Sequence, residues 1–165
     1  SNNIISGGGF TGTFDVDPSS NTYLLSPVGN YDWFVSKVSG NGNLIWVRHF
    51  DGTTNLNGMV FMTSFTKDNS GNLYFVGYLK DSFDFDPGPG IYYLPATNSN
   101  YHSSFILKLN ANGDFVWAKE IEANVINSNI NLLDIKVCGN SIYLTGSFLG
   151  TIDVNPNSSV LNIKF

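Results

Sequence analysis

Glutamate is almost missing from this sequence: Glu120 and Glu122 are the only two in 165 residues. Charged residues of every kind make up 13%, where globular proteins carry about 25%. That shortage excludes coiled coils and solvated helical bundles, which need many Glu and Lys. Lys and Arg number 8 against 13 acidic residues, for a net charge of −5. A surface that neutralises phosphates needs clustered cations, so nucleic acid is not an expected partner. With Cys138 alone, no internal disulfide can form, and a lone cysteine in a strand-rich chain is expected to act as a small buried hydrophobe. No run of 18 apolar residues occurs, so no helical membrane span is expected. No charged-then-apolar segment opens the chain, so any export signal lies outside it or was removed.

The abundant residues tell the opposite story. Phe, Tyr and Trp number 13, 8 and 3, enough apolar mass to exclude intrinsic disorder. Asn, Gly, Ser and Thr suit short strands joined by tight turns.

The chain is organised by a repeat. FDVDP (14–18), FDFDP (83–87) and IDVNP (152–156) place Asp15, Asp84 and Asp153 at intervals of 69 residues. DWFVSKVSGNGNLIWVRHF (32–50) matches SSFILKLNANGDFVWAKEI (103–121) at an offset of 71, pairing Phe34 with Phe105, Lys37 with Lys108, Gly42 with Gly113 and Trp46 with Trp117. SGNLYFVGYLKDSFDF (70–85) matches GNSIYLTGSFLGTIDV (139–154), and NIISGGGFTGTFDV (3–16) falls on 141–154. Units are expected at about 12–80 and 81–149, with a partial third from 150.

Each unit reads as strands only. Phe34, Ser36 and Val38 alternate with Val35 and Lys37, the period of a pleated strand. Asn41-Gly42 and Asn112-Gly113 signal turns with positive φ, and a further turn is expected at 69–72. The spacing predicts four strands per unit, at 60–67, 72–79, 105–110 and 114–121, with a longer excursion carrying DFDPGPG and the apolar stretch 91–94. Four antiparallel strands cannot bury both faces alone, and stacking units radially solves this. The expected fold is therefore all-β, with β-propeller blades. About two full blades plus partial blades cannot close a ring of about 4 to 8, so a piece of a larger propeller is expected.

The blocks DIKVCGNSIYLTGSFLGTIDV (134–154), FDFDPG (83–88) and FILKLNANGDFVWAKEI (105–121) resemble the SBBP-type β-propeller repeat of large secreted and surface proteins of Bacteroidota-like bacteria. The resemblance covers nearly the whole chain. It implies a propeller, an extracellular or cell-surface location, and a role in adhesion or scaffolding. It carries no catalytic residues. Asp-Pro-Gly is intact only at Asp86-Pro87-Gly88, becoming Asp-Pro-Ser after Asp17 and Asn-Pro-Asn after Asn155. The G-x-x-x-W spacing is similar to the tryptophan-docking hairpin of quinoprotein propellers, and less so to the Asp-box, whose Trp comes one residue sooner. Trp46, Trp117, Gly42 and Gly113 are accordingly expected to dock units together.

Candidate chemistry is sparse. Residues i and i+2 of a strand share a side, so Asp15 with Asp17, and Asp84 with Asp86, could hold Ca²⁺ through oxygen ligands. The alternative is that these acids cap their own turns, with Pro presetting φ. Trp33, which the second unit replaces with Ser104, is a candidate for stacking on a ligand. His49 aligns with Glu120, and His102 stands alone; neither makes a catalytic or metal spacing. Lys37 and Lys108 are expected in polar contacts between units or in solvent. Gly7-Gly8-Gly9 opens no helix, so no phosphate loop is expected. The sequence thus predicts a non-catalytic binding or scaffold module contacting glycans, surface proteins or further blades of the same chain or a neighbouring subunit. The alternatives are a piece of a propeller enzyme acting on glycans, whose carboxylates would converge at the axis, and a filament subunit linked by strand addition.

Overall fold

The structure is a computed structural model describing residues 2–52, 60–80, 83–94, 102–123, 128–155 and 162–164. It is all-β. The units follow the sheets they form, since the four-stranded sheet spans Val60–Ile121 and straddles the expected boundary at 80/81. The first contributes β1 (Ile4–Phe10), β2 (Phe14–Asp15), β3 (Leu24–Leu25), β4 (Asp32–Val38) and β5 (Leu44–Phe50). The second contributes β6 (Val60–Lys67), β7 (Leu73–Leu79), β8 (Phe83–Asp84), β9 (Tyr93–Leu94), β10 (Ser103–Leu109) and β11 (Phe115–Ile121). The third contributes β12 (Asn129–Cys138), β13 (Ser141–Leu149), β14 (Thr151–Asp153) and β15 (Asn162–Lys164).

Among the described residues six antiparallel sheets result, one of them four-stranded, in the order β11-β10-β7-β6. Its strands agree with the predicted 60–67, 72–79, 105–110 and 114–121 to within two residues. The first unit forms β1-β4-β5 and the third β12-β13. Pairs β2-β3, β8-β9 and β14-β15 are the small hairpins of the Asp-Pro excursions. Pro156, at the third proline-marked corner, lies outside the described residues.

Turn chemistry explains the strand ends. Gly42, Gly71 and Gly113 have φ near +84°, where only a residue without Cβ is comfortable. Each closes the same loop: Gly42 N–H donates to Ser39 O, Gly71 N–H to Asp68 O and Gly113 N–H to Asn110 O, all at 2.9–3.0 Å.

Successive sheets pack face to face. Leu73, Phe75, Leu79, Phe105, Leu107 and Leu109 cover one face of the four-stranded sheet and meet Trp33, Val35 and Phe50 of the first sheet. Tyr74, Val76, Ile106 and Ile121 cover the other face and meet Ile130, Leu132 and Ile135 of the third. The strand period of two sends alternate residues to opposite neighbours. The two central strands, β7 and β10, are therefore buried on both sides and read as near-continuous apolar runs, while the outer β6 and β11 stay partly exposed. Hairpin β8-β9 wedges Phe83 and Phe85 into the first of these cores, with Phe85 against Phe105 at 4.9 Å. Hairpin β2-β3 does the same for Phe10 and Phe34 through Phe14, Val16 and Leu25.

Cys138 departs from expectation. It is exposed, because it alternates with Ile135 and Val137, which pack toward the four-stranded sheet, and so shares the opposite face of β12 with the exposed Lys136. No helix occurs among the described residues, and none could cross a membrane.

Candidate functional site

Asp32, at the start of β4, is fully buried. Its Oδ1 accepts hydrogen bonds from the N–H groups of Gly29 and Gly52, both at 3.0 Å. Its Oδ2 accepts from Val28 N–H at 2.8 Å and lies 2.7 Å from His49 Nε2 on the adjacent strand β5. The other ring nitrogen, Nδ1, lies 3.6 Å from Asp51 Oδ1. This Asp32–His49–Asp51 trio is the one group of three potential metal ligands among the described residues. Its geometry works against a shared ion. The imidazole addresses the two acids through opposite edges, and Asp32 has already spent both oxygens on the loops at 28–29 and 52. The arrangement ties two loops to the sheet.

The second unit holds a different solution at the same place. Ser103 replaces Asp32, and its Oγ accepts from Ala123 N–H at 3.4 Å, as Asp32 accepts from Gly52. Glu120 replaces His49. It is 9% exposed, and neither carboxylate oxygen has a hydrogen-bond partner among the described residues. Burial pushes its carboxyl up to about 7; the nearby Ser103 hydroxyl, too poorly placed to make a full bond, tempers this, and the Glu122 charge adds to it. An acid raised in the folded state gives stability below its unfolded value near 4.5 that is lost as pH climbs through about 7. The chain should therefore lose roughly 2–3 kcal/mol between pH 4 and pH 8 from this group. Glu120→Gln should flatten that part of the profile in urea titrations at the two pH values; an unchanged slope refutes it.

The Asp-Pro corners repeat one geometry. Asp15 Oδ1 accepts from Asp17 N–H at 3.0 Å and Tyr23 N–H at 2.9 Å. Asp84 Oδ1 accepts from Asp86 N–H at 3.0 Å and Tyr92 N–H at 2.8 Å. Asp17 and Asp86 cap Ser19 and Gly88 in turn, and the Ser19 N–H holds the Asp17 carboxyl below its usual range. Asp153 Oδ1 accepts from Asn155 N–H at 3.0 Å. One oxygen of each of Asp15, Asp17, Asp84 and Asp86 is thereby committed to backbone donors of its own turn, which suits the turn-capping alternative better. Melting midpoints in millimolar calcium and in chelator should agree within about 1 °C; a rise of several degrees in calcium would reverse that choice.

Trp33, the candidate for ligand stacking, is 2% exposed. Its ring lies 4.6 Å from Phe50 and 5.5 Å, edge-on, from Phe75 of the next sheet, so it offers no face to a ligand. The equivalent Ser104 meets the third sheet through its hydroxyl, donating to Ile130 O and accepting from Leu132 N–H. One position thus serves two interfaces by different means.

Trp46 reaches the next unit. A Cβ on Gly113 would stand 3.1 Å from its ring and 3.0 Å from Arg48 Cγ. Arg48 donates to Gly113 O, Asn112 O and Asp114 Oδ1 at 3.1, 2.6 and 2.9 Å, and Lys37 Nζ donates to Ala111 O at 3.1 Å. The first unit therefore clamps the turn at 110–114. Gly42, its counterpart, has nothing within 4 Å of such a Cβ. Trp117 packs on the core facing the third sheet, edge-on to Tyr74 at 6.2 Å.

Sequence reasoning dismissed His49 and did not single out Asp32 or Glu120. The signal was present in the aligned pairs Asp32/Ser103, His49/Glu120 and Asp51/Glu122, polar residues at the same ends of apolar strands. Set against protein-family models, curated proteins and solved structures, the chain matches none.

Proposed function

We propose that the chain is a run of β-propeller blades of the SBBP type, serving as a non-catalytic binding or scaffold module of an exported bacterial surface protein. The observation that carries this reading is the equivalence of two successive interfaces. Trp33, Val35 and Phe50 face the four-stranded sheet as Ser104, Ile106 and Ile121 face the third. A sheet that meets its neighbour in the same way each time generates either a ring or a solenoid, and hairpins such as β8-β9 that add Phe83 and Phe85 to the core between two sheets suit the ring. The recurrent polar residues support a scaffold role, because their bonds go to backbone and neighbouring turns. Loop faces of such a ring would contact glycans or surface proteins.

A glycan array read beside a panel of chromogenic glycosides tests the reading. Retention of glycans or surface proteins without turnover is expected. Glycoside cleavage that persists through purification overturns it in favour of an enzyme.

A further inference from the structure

Strand β11 is the outer strand of the four-stranded sheet, and among the described residues it pairs with β10 alone. Residues of an antiparallel pair alternate between those that bond their partner and those whose N–H and C=O face away. Two bonds show which set faces outward. Ala118 O accepts from the Tyr92 hydroxyl at 3.2 Å, and Glu122 O accepts from Asp153 N–H at 3.0 Å. Neither donor belongs to β10, so positions 118, 120 and 122 turn their main chain away from the sheet. An edge strand normally leaves that row in water. Ala118, main chain included, is 0% exposed.

Hairpin β8-β9 does the covering. The Tyr92 ring lies 4.8 Å from Phe115, and Phe83, Phe85 and Leu94 share one core with Ala118 and Phe115. The repeated aspartate fixes the hairpin's pose: Asp84 Oδ1 accepts the Tyr92 N–H and so holds the residue whose hydroxyl reaches Ala118 O. Hairpin β14-β15 adds a second fastening to the same edge through Asp153 and Glu122. The first unit reaches the same end differently. Hairpin β2-β3 packs Val16 and Leu25 beside Leu44 and Val47 of β5. Val47 O, the counterpart of Ala118 O, accepts from Arg48 Nη1 at 3.1 Å, and a cation on an edge strand deters pairing.

The edge of β11 needs its cover. Phe115-Val116-Trp117-Ala118 is an apolar run with no charge and no proline, and Val116 stays 44% exposed. Such a run pairs with an identical one, because two antiparallel copies offer each other the same apolar side chains and the same free N–H and C=O groups.

We propose that hairpin β8-β9 is a strap that closes the outer edge of β11, and that the edge beneath it takes β11 of a second copy of this chain when the strap is lifted. Tyr92 is the fastening residue. The strap acts in the same way whether the units form a ring or a row, and it does not depend on the binding role.

Tyr92→Ala removes both the hydroxyl and the ring. Amide exchange at Ala118 should become at least about tenfold faster, and sedimentation equilibrium should show pairing at concentrations where the wild type is monomeric. Tyr92→Phe loses only the hydroxyl. It should speed exchange at Ala118 by about threefold, and it carries the test if the alanine variant fails to fold. Adding Val116→Lys to Tyr92→Ala should abolish the pairing and leave exchange fast. Tyr93→Ala, at the neighbouring position that is 57% exposed, should match the wild type in both measurements. Unchanged exchange at Ala118 in both Tyr92 variants overturns the strap. Fast exchange without pairing overturns the second copy as occupant, and pairing that survives Val116→Lys overturns β11 as the edge it uses.

Discussion

Gly77→Ala should destabilise the chain by about 3 kcal/mol, one of the largest single-methyl effects this fold can show. The added carbon would collide with Phe61 O, a main-chain atom held by the β6–β7 ladder. Backbone cannot swing aside as a side-chain tip can. Strand β6 would have to lift from β7, loosening Val60 and Met62 from the core that also holds Phe75 and Leu79. The bulge in β6, an extra residue between Met62 and Ser64 opposite Gly77, would open with it, and the Thr63 bond to Leu132 O in the third sheet would weaken. Gly146→Ala should behave likewise, at about 2 kcal/mol, because its sheet has only two strands to disrupt. Urea midpoints of the two variants provide the check. Costs below about 0.5 kcal/mol for both would mean that the outer strands slide freely and that the close main-chain approach at these glycines does not hold.

The repeat carried most of the fold. Aligning the repeats placed the turns at 69–72 and 112–113 and the four long strands of the second unit, because turns need residues without Cβ and strands need alternation; the hairpin β8-β9 stayed an undivided excursion. It could not place the bulges. The adjacent polar pair Thr63-Ser64 breaks the alternation between Met62 and Phe65, but such a break does not say that one of the two is an extra residue between Met62 and Ser64. Nor could it judge Trp33. A tryptophan replaced by serine in the next copy looks like a residue freed from the repeat. Yet the indole and the Ser104 hydroxyl close equivalent gaps, one by filling volume and the other by bonding β12. Cys138 was misjudged for a related reason: burial in a strand depends on which face the residue takes, and Cys138 lies on the face of β12 opposite Ile135 and Val137. The polar knot at Asp32 was hidden because its partners, Val28, Gly29 and Gly52, contribute backbone atoms, which any residue possesses.

Asp32→Ala should cost about 3–5 kcal/mol, a large share of the roughly 5–15 kcal/mol that holds a domain folded. The substitution strands three backbone N–H groups and His49 Nε2 at once. Gly52 cannot relieve the loss by moving inward, since a Cβ there would already collide with Tyr31 O and its loop is pressed against that carbonyl. The graded variants separate charge from hydrogen bonding. Asp32→Asn keeps one acceptor oxygen for Gly29 and Gly52 but turns a donor toward Val28, so about 1–3 kcal/mol is expected. Asp32→Ser imitates the second unit, where Ser103 Oγ takes the Ala123 N–H that corresponds to Gly52. It should recover part of the loss and restore exchange protection at Gly52 while leaving Val28 and Gly29 open. Urea titration ranks the variants, and amide exchange at those three residues locates the damage. If alanine and serine prove equally costly, or if Gly52 stays protected in the alanine variant, the carboxylate does not organise the loops, and the correspondence between the two units stops at their strands.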